Sequence, residues 1–296
     1  MKNMRIPLLI AWGVAVIGIV FGSFFDFQIS SAIASPTNYF ALTVSAIGPT
    51  IGFAGVAVMG GGLVALAIHG KYHIALKILF YVLAACCLGV SIYFPGGSYF
   101  GVNGFYMFGV PELVGYLIVI IPECAAMVGG YFLFKDCQNK NMWIVFCIII
   151  GLLLIALVAI IPNIKDTMRR PRYRLVSKGE VPFYDWWKQC KDYVPHDDDY
   201  KSYPSGHTAE ASILLVVSTF FPLAHKKLEK VQLPFFLGSC GLVLLVALAR
   251  VLAAAHYLSD VSFGATIVLT LLIIANEVVM RVKPLHIEEQ KEEVKE

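Results

Sequence analysis

The sequence predicts an all-α membrane protein, a polytopic bundle of about eight transmembrane helices, and three observations predict it. Of its 296 residues, 58% are hydrophobic and only 15% are charged, where a soluble domain carries about 45–50% and about 25%. A mean hydropathy of +0.74 leaves more apolar surface than a soluble fold can bury. The apolar residues also fall in runs close to the ~20 residues a helix needs to cross the hydrocarbon core.

Those runs lie at roughly 7–25, 42–68, 75–95, 113–134, 142–163, 208–224, 234–254 and 261–280. The first follows a basic Met1–Arg5 and resembles a secretory signal, with Ala32-Ile33-Ala34 as a cleavage site. The run is long and Asp26 separates it from that site, so it reads as an uncleaved span. Gly48-Pro49 and Gly60-Gly61-Gly62 interrupt the second run, which its length makes one tilted or kinked span. Glu123 falls inside the fourth after Pro122, a costly place for a carboxylate and a candidate for function. The whole chain, 1–296, reads as one integral-membrane domain, with 283–296 a charged tail.

An even number of spans puts both termini on one side. That side collects Lys2, Arg5, Lys71, Lys135, Lys140, Lys226, Lys227, Lys230, Arg281 and Lys283, while the loops at 26–41 and 96–112 hold no Lys or Arg. The positive-inside rule makes the first side cytosolic and the long loop 164–207 extracytoplasmic or lumenal. The net charge of +3 points to no nucleic-acid partner. Seven cysteines, at 86, 87, 124, 137, 147, 190 and 240, show no paired or metal-ligand spacing, so they read as free thiols, mostly in apolar runs. Oligomeric state has no signature here.

Three polar patches fall on the extracytoplasmic side. Lys165 to Tyr173 leaves the fifth span, Tyr203-Pro204-Ser205-Gly206-His207 opens the sixth, and Arg250 to Asp260 bridges the seventh and eighth. Lys165, Arg170, Arg172 and Arg250 would repel one another unless an anion lay between them. Arginine's forked donors match phosphate oxygens. Ser205-Gly206, ahead of a helix, adds a hydroxyl and backbone N–H groups to such a site. One of His207 and His256 can attack phosphorus and the other can protonate the leaving oxygen. Asp260, four residues after His256, shares its helix face and can fix its tautomer. His196 with Asp197-Asp198-Asp199 resembles a metal site but reads as a solvated acidic stretch, and Arg169 and Arg174 as interfacial anchors. The loop aromatics, among them Tyr173, Phe183, Tyr184, Trp186 and Trp187, suit packing at headgroup level.

These patches resemble the type 2 phosphatidic acid phosphatase superfamily, which includes glucose-6-phosphatase and the vanadium haloperoxidases. Its signature is Lys-x6-Arg-Pro, then Pro-Ser-Gly-His, then Ser-Arg-x5-His-x3-Asp. This chain has Lys165-x6-Arg172, Pro204-Ser205-Gly206-His207 and Arg250-x5-His256-x3-Asp260. Tyr173 and Ala249 stand where the family has proline and serine; neither change removes a charge or the triad.

The resemblance implies that His256 is the nucleophile, Asp260 its orienting group, and His207 the general acid and then base. Lys165, Arg172, Ser205, Gly206 and Arg250 would hold phosphate oxygens, with no metal and no cofactor. It implies a phosphatase core at 141–282 built from the last four spans, with 1–140 as accessory spans. The expected activity is hydrolysis of a lipid phosphate monoester or diphosphate through a phosphohistidine. A phospholipid or headgroup phosphotransferase is the alternative within the superfamily. A transporter is the remote one, because transporters gather polar residues at the bilayer midplane and these gather at one surface.

Overall fold

The computed structural model describes residues 4–100, 111–137 and 141–282. Lys2, Lys140 and Lys283 of the charge census, residues 101–110 of the loop 96–112 and the tail 283–296 lie outside the described residues. The described chain is helical and carries no strand. Seven of its helices are long and apolar enough to cross a membrane. Their outer faces expose large apolar side chains, among them Ile10, Ile17, Phe24, Val82, Phe132 and Leu244, a surface suited to lipid rather than water. The chain is an integral-membrane all-α bundle.

Helices α1 (Arg5–Ile33), α2 (Tyr39–His69), α3 (Ile74–Phe100) and α4 (Glu112–Phe134) form from the first four apolar runs. In lipid, a helix is the fold that satisfies each backbone group within its own segment. Asn38 caps α2, accepting the Ala41 N–H at 3.0 Å. As expected for one span, α2 continues through Pro49 and the glycine triplet. It is the most buried of the seven, and its glycines explain how. A Cβ on Gly61 would lie 1.9 Å from the Met127 carbonyl oxygen of α4, so the two backbones meet where a side chain cannot fit.

The fifth run forms α5 (Met142–Leu154), a π-helical stretch (Ile155–Ile160) and α6 (Ile161–Met168) in one continuous rod. Pro162 has no N–H to give and its ring crowds the preceding turn, and a widened π turn there relieves both. Arg169, at φ 51°, ends the rod. The chain then runs extended through Arg170–Arg172 into the short α7 (Tyr173–Val176).

The sixth run departs from the expected single helix. It forms α8 (Gly206–Ser212) and α9 (Leu215–Ala224), joined at Ile213–Leu214, where Ile213 N–H bonds back three residues to the Glu210 carbonyl. Among the described residues seven helices are thus long enough to cross alone, while α8 and α9 together cover 206–224. Last come α10 (Glu229–Leu252) and α11 (Leu258–Val282), with α1 packed along α11. The C-terminal ends of α1, α6 and α10 and the N-terminal ends of α8 and α11 gather at one end of the bundle. There Ser35 N–H donates to the Leu252 carbonyl at 2.6 Å.

Candidate active site

The three patches meet at that end. Lys165 comes from the last turn of α6, Arg172 from the start of α7, and Arg250 from the last turn of α10. Ser205 is the N-cap of α8, with Gly206 and His207 its first two residues. His256 lies in the turn before α11, and Asp260 in its first turn. All eight residues singled out in the sequence belong to this one cluster.

Its cations differ in what they are free to do. Arg250 is fully buried, and Nε, Nη1 and Nη2 all lack a hydrogen-bond partner among the described residues. Arg172, also buried, gives Nε to the Asp198 carbonyl at 3.0 Å and Nη2 to the Asp198 carboxylate at 2.5 Å. Its Nη1 is left unpaired. Lys165 Nζ donates to the Lys201 carbonyl at 3.1 Å, with two further protons to give. A Cβ on Gly206 would lie 3.9 Å from Lys165 Nζ and 4.0 Å from Glu210 Oε1, which sets the start of α8 beside the lysine. Ser205 Oγ accepts from Thr208 at 3.0 Å, which leaves its own proton for an incoming oxygen. Since α8 has only seven residues, these side chains rather than a helix dipole are what the site offers an anion.

Arg170 departs from the expectation of an open cation. It is buried and saturated: Nη1 reaches Asp260 Oδ1 at 2.6 Å and Ser259 Oγ at 2.9 Å, Nη2 reaches Asp26 at 2.9 Å, and Nε reaches the Tyr184 carbonyl at 2.8 Å. Its guanidinium also lies 4.1 Å from the Tyr257 ring centroid. The acidic stretch is only partly a solvated one: Asp198 keeps its side chain 56% exposed while it pairs with Arg172, Asp199 pairs with Arg174, and Asp197 caps the turn they form. Burial opposes the charge on Asp198, but Arg172 and then Lys165 outweigh it and hold the carboxyl below the ordinary range.

The histidines are set by their surroundings. His256 Nδ1 lies 2.6 Å from the Ser202 carbonyl oxygen. A carbonyl can only accept, so Nδ1 carries the proton and Nε2 keeps its lone pair. Asp260 Oδ2 is 3.8 Å from Nδ1, beyond hydrogen-bond range. It accepts instead from Ser202 Oγ at 2.5 Å and Tyr257 N–H at 2.9 Å. Ser202 therefore stands between Asp260 and His256. Burial lowers the proton affinity of His256, with Arg250, Arg172 and Lys165 adding to it against the nearby carboxylate. His207 is lowered by burial first, then by Arg250 and His256.

Ala249 is buried with Ala41 and Leu42 of α2, so α2 packs where a serine hydroxyl would have stood. Tyr173 packs edge-on to Tyr257 and Phe27. Glu123 is buried on α4, and among the described residues α4 contributes nothing to the cluster. Trp186 stacks on Tyr203 and meets Phe263, tying the long loop 164–207 to α11. All seven cysteines are free.

An uncompensated guanidinium beside a lysine and an imidazole with a free lone pair can bind and attack a phosphoryl group. Fold and site together define a polytopic membrane protein of phosphate-ester chemistry. Residues 140–283 match the PAP2 superfamily, and through them the chain belongs to the type 2 phosphatidic acid phosphatase superfamily. Comparison with curated proteins and with solved structures gave no match. Members of that superfamily are generally phosphatases, which supports phosphatase-type chemistry on a phosphate ester.

Proposed function

We propose that this protein hydrolyses a lipid phosphate monoester or diphosphate through a phosphohistidine on His256. The observation that carries this is Arg250, fully buried with three guanidinium nitrogens unpaired. A charge left so is a strong destabilising feature unless an anion completes it. Lys165, Arg172, Ser205, Gly206 and Arg250 hold the phosphoryl oxygens and take up the charge that spreads over them in the transition state. His256 Nε2 forms a bond to phosphorus as the bond to the leaving oxygen breaks, and His207 gives that oxygen its proton. His207 then takes a proton from water, whose oxygen attacks phosphorus. The P–N bond breaks, the lone pair returns to Nε2, and phosphate leaves. Throughout, Nδ1–H stays on the Ser202 carbonyl, and Asp260 holds Ser202.

A lipid substrate is supported by a groove of about 630 Å³ between α1, α10 and α11, lined among others by Val14, Gly18, Leu237, Val243 and Ser262. Thr208 and Leu258 also line it, one residue from His207 and two from His256. Along α1 the lining runs from Pro7 to Gly18, about 17 Å of helix. That is near the ~15 Å half-thickness of the hydrocarbon core, so an acyl or prenyl chain fits there while its phosphate reaches the cations. The lysine and arginine census supports an extracytoplasmic or lumenal site with both termini cytosolic.

Phosphate release by the purified protein, from long-chain lipid phosphates and from water-soluble phosphate monoesters, tests the reading. Lipid phosphates should be hydrolysed at far higher kcat/KM. Equal rates on soluble monoesters would overturn the lipid assignment, and transfer of phosphate to a lipid alcohol without net release would favour the phosphotransferase.

A further inference from the structure

Gly18, Gly22 and Asp26 recur every fourth residue of α1, which lays them along one face. On that face α11 comes unusually close. A Cβ on Gly22 would lie 2.6 Å from Ser259 N and 2.8 Å from Asp26 Oδ1, and one on Gly18 would lie 2.4 Å from Ser262 Oγ. The two glycines therefore let the backbones meet as small residues do between membrane helices.

What they deliver is Asp26. It is 3% exposed and accepts the Ser259 N–H at 2.9 Å, the Ser259 hydroxyl, and Arg170 Nη2 at 2.9 Å. Three donors thus converge on its two oxygens. Ser259 is the second residue of α11, where a helix needs outside acceptors for its first N–H groups. Tyr257, just before the helix, has no side-chain oxygen near enough to serve. Two carboxylates do so instead: Asp260 takes the Tyr257 N–H, and Asp26 reaches in from α1 to take that of Ser259. The same two share the Arg170 guanidinium, at 2.9 Å and 2.6 Å.

We infer that Asp26 is a positioning residue for the catalytic array. Through Arg170 and the first turn of α11 it fixes the Asp260 carboxylate, and through Asp260 and Ser202 the imidazole of His256. This rests on the reading of His256 given above. It makes α1 part of the catalytic unit rather than an accessory span, although α1 lies outside the residues that match the family.

Two variants test it, each assayed on a long-chain lipid phosphate as kcat per monodisperse, folded protein. Asp26→Asn keeps the shape and loses the charge. Gly22→Ala changes no polar group but forces α1 away from Ser259. Each should lower kcat about 10- to 100-fold, the loss a misplacement near 1 Å brings. In Asp26→Asn, KM should stay within about twofold of wild type, because Asp26 pairs with Arg170 and Ser259 and not with Lys165, Arg172 or Arg250; Gly22→Ala also moves α1 where it lines the groove, so that variant is read by kcat. The double variant should lose little more than the worse single one, since both act on one contact. Hydrogen exchange at the first-turn amides of α11 should quicken in Asp26→Asn, whatever the activity. Unchanged kcat, a loss confined to KM, or fully additive losses would overturn the positioning role while leaving His256 as the nucleophile. Wild-type protein without phosphatase activity would overturn both.

Discussion

Replacing Arg250 with methionine should make the phosphate-free protein more stable and nearly inactive. The guanidinium is fully buried and its three nitrogens are unpaired. Replacing a buried charge by an apolar side chain of similar volume is often stabilising by about 1–4 kcal/mol. Among the described residues Arg250 has no hydrogen-bonded partner to lose, and the attraction of Asp198 and Glu210 is set against the repulsion of Arg172 and Arg174. Melting in detergent should therefore rise by several degrees. The same guanidinium can give a phosphoryl group two charge-assisted hydrogen bonds, each contributing about 1.5–3 kcal/mol. Their loss predicts a fall in kcat/KM of about 10²- to 10⁴-fold. Vanadate at ~100 times its Kd should stabilise wild type by about 2.7 kcal/mol and the variant far less. Phosphate release and thermal melts with and without vanadate read all three quantities. A variant that melts lower than wild type and still gains full stability from vanadate would refute the reasoning.

Three further outcomes follow. His256 must be unprotonated to attack and His207 protonated to act as acid, and both lie below the ordinary 6.5. So kcat/KM should peak on the acid side of 6.5 and fall as His207 loses its proton on raising pH; a profile flat to alkaline pH would contradict this. Activity should survive EDTA and be inhibited by vanadate, a five-coordinate mimic of the transition state; restoration of chelated protein by added zinc or magnesium would count against the fixed cations as the whole charge clamp. With native cysteines replaced, a cysteine at Ser177 should react with an impermeant thiol reagent in intact cells. One at Gln290 in the tail should react only after permeabilisation, and the reverse pattern would move the site to the cytosol.

The residues that make the site were legible because their chemistry is local. Lys165 and Arg172 sit on one connected stretch, Ser205, Gly206 and His207 are consecutive, and Arg250, His256 and Asp260 span one helix end and the next helix start. The apolar runs likewise foretold the helices, since hydrophobic length alone decides which segments cross lipid. What the sequence hid is what distant segments supply. Ser202 holds His256 across 54 residues, and Asp26 meets Arg170 across 144 and Ser259 across 233. No local periodicity encodes such partners, so Arg170 looked like an open cation when two carboxylates saturate it. One clue was present: Gly18, Gly22 and Asp26 share a helical face, a sign of close approach by another backbone. The division of 208–224 into α8 and α9 had no comparable cue. It coincides with a close approach of α2, where a Cβ on Gly52 would lie 2.1 Å from the Glu210 carbonyl oxygen.

The account turns on a phosphorus–nitrogen bond at His256 Nε2. Rapid mixing of the protein with a radiolabelled lipid phosphate, followed by an alkaline quench, preserves an acid-labile phosphohistidine for peptide mapping. The account predicts label on the peptide that contains His256, formed in a burst within one turnover and absent from His256→Ala, which should also release no phosphate. Label on another residue, or phosphate release that persists in His256→Ala, would contradict it.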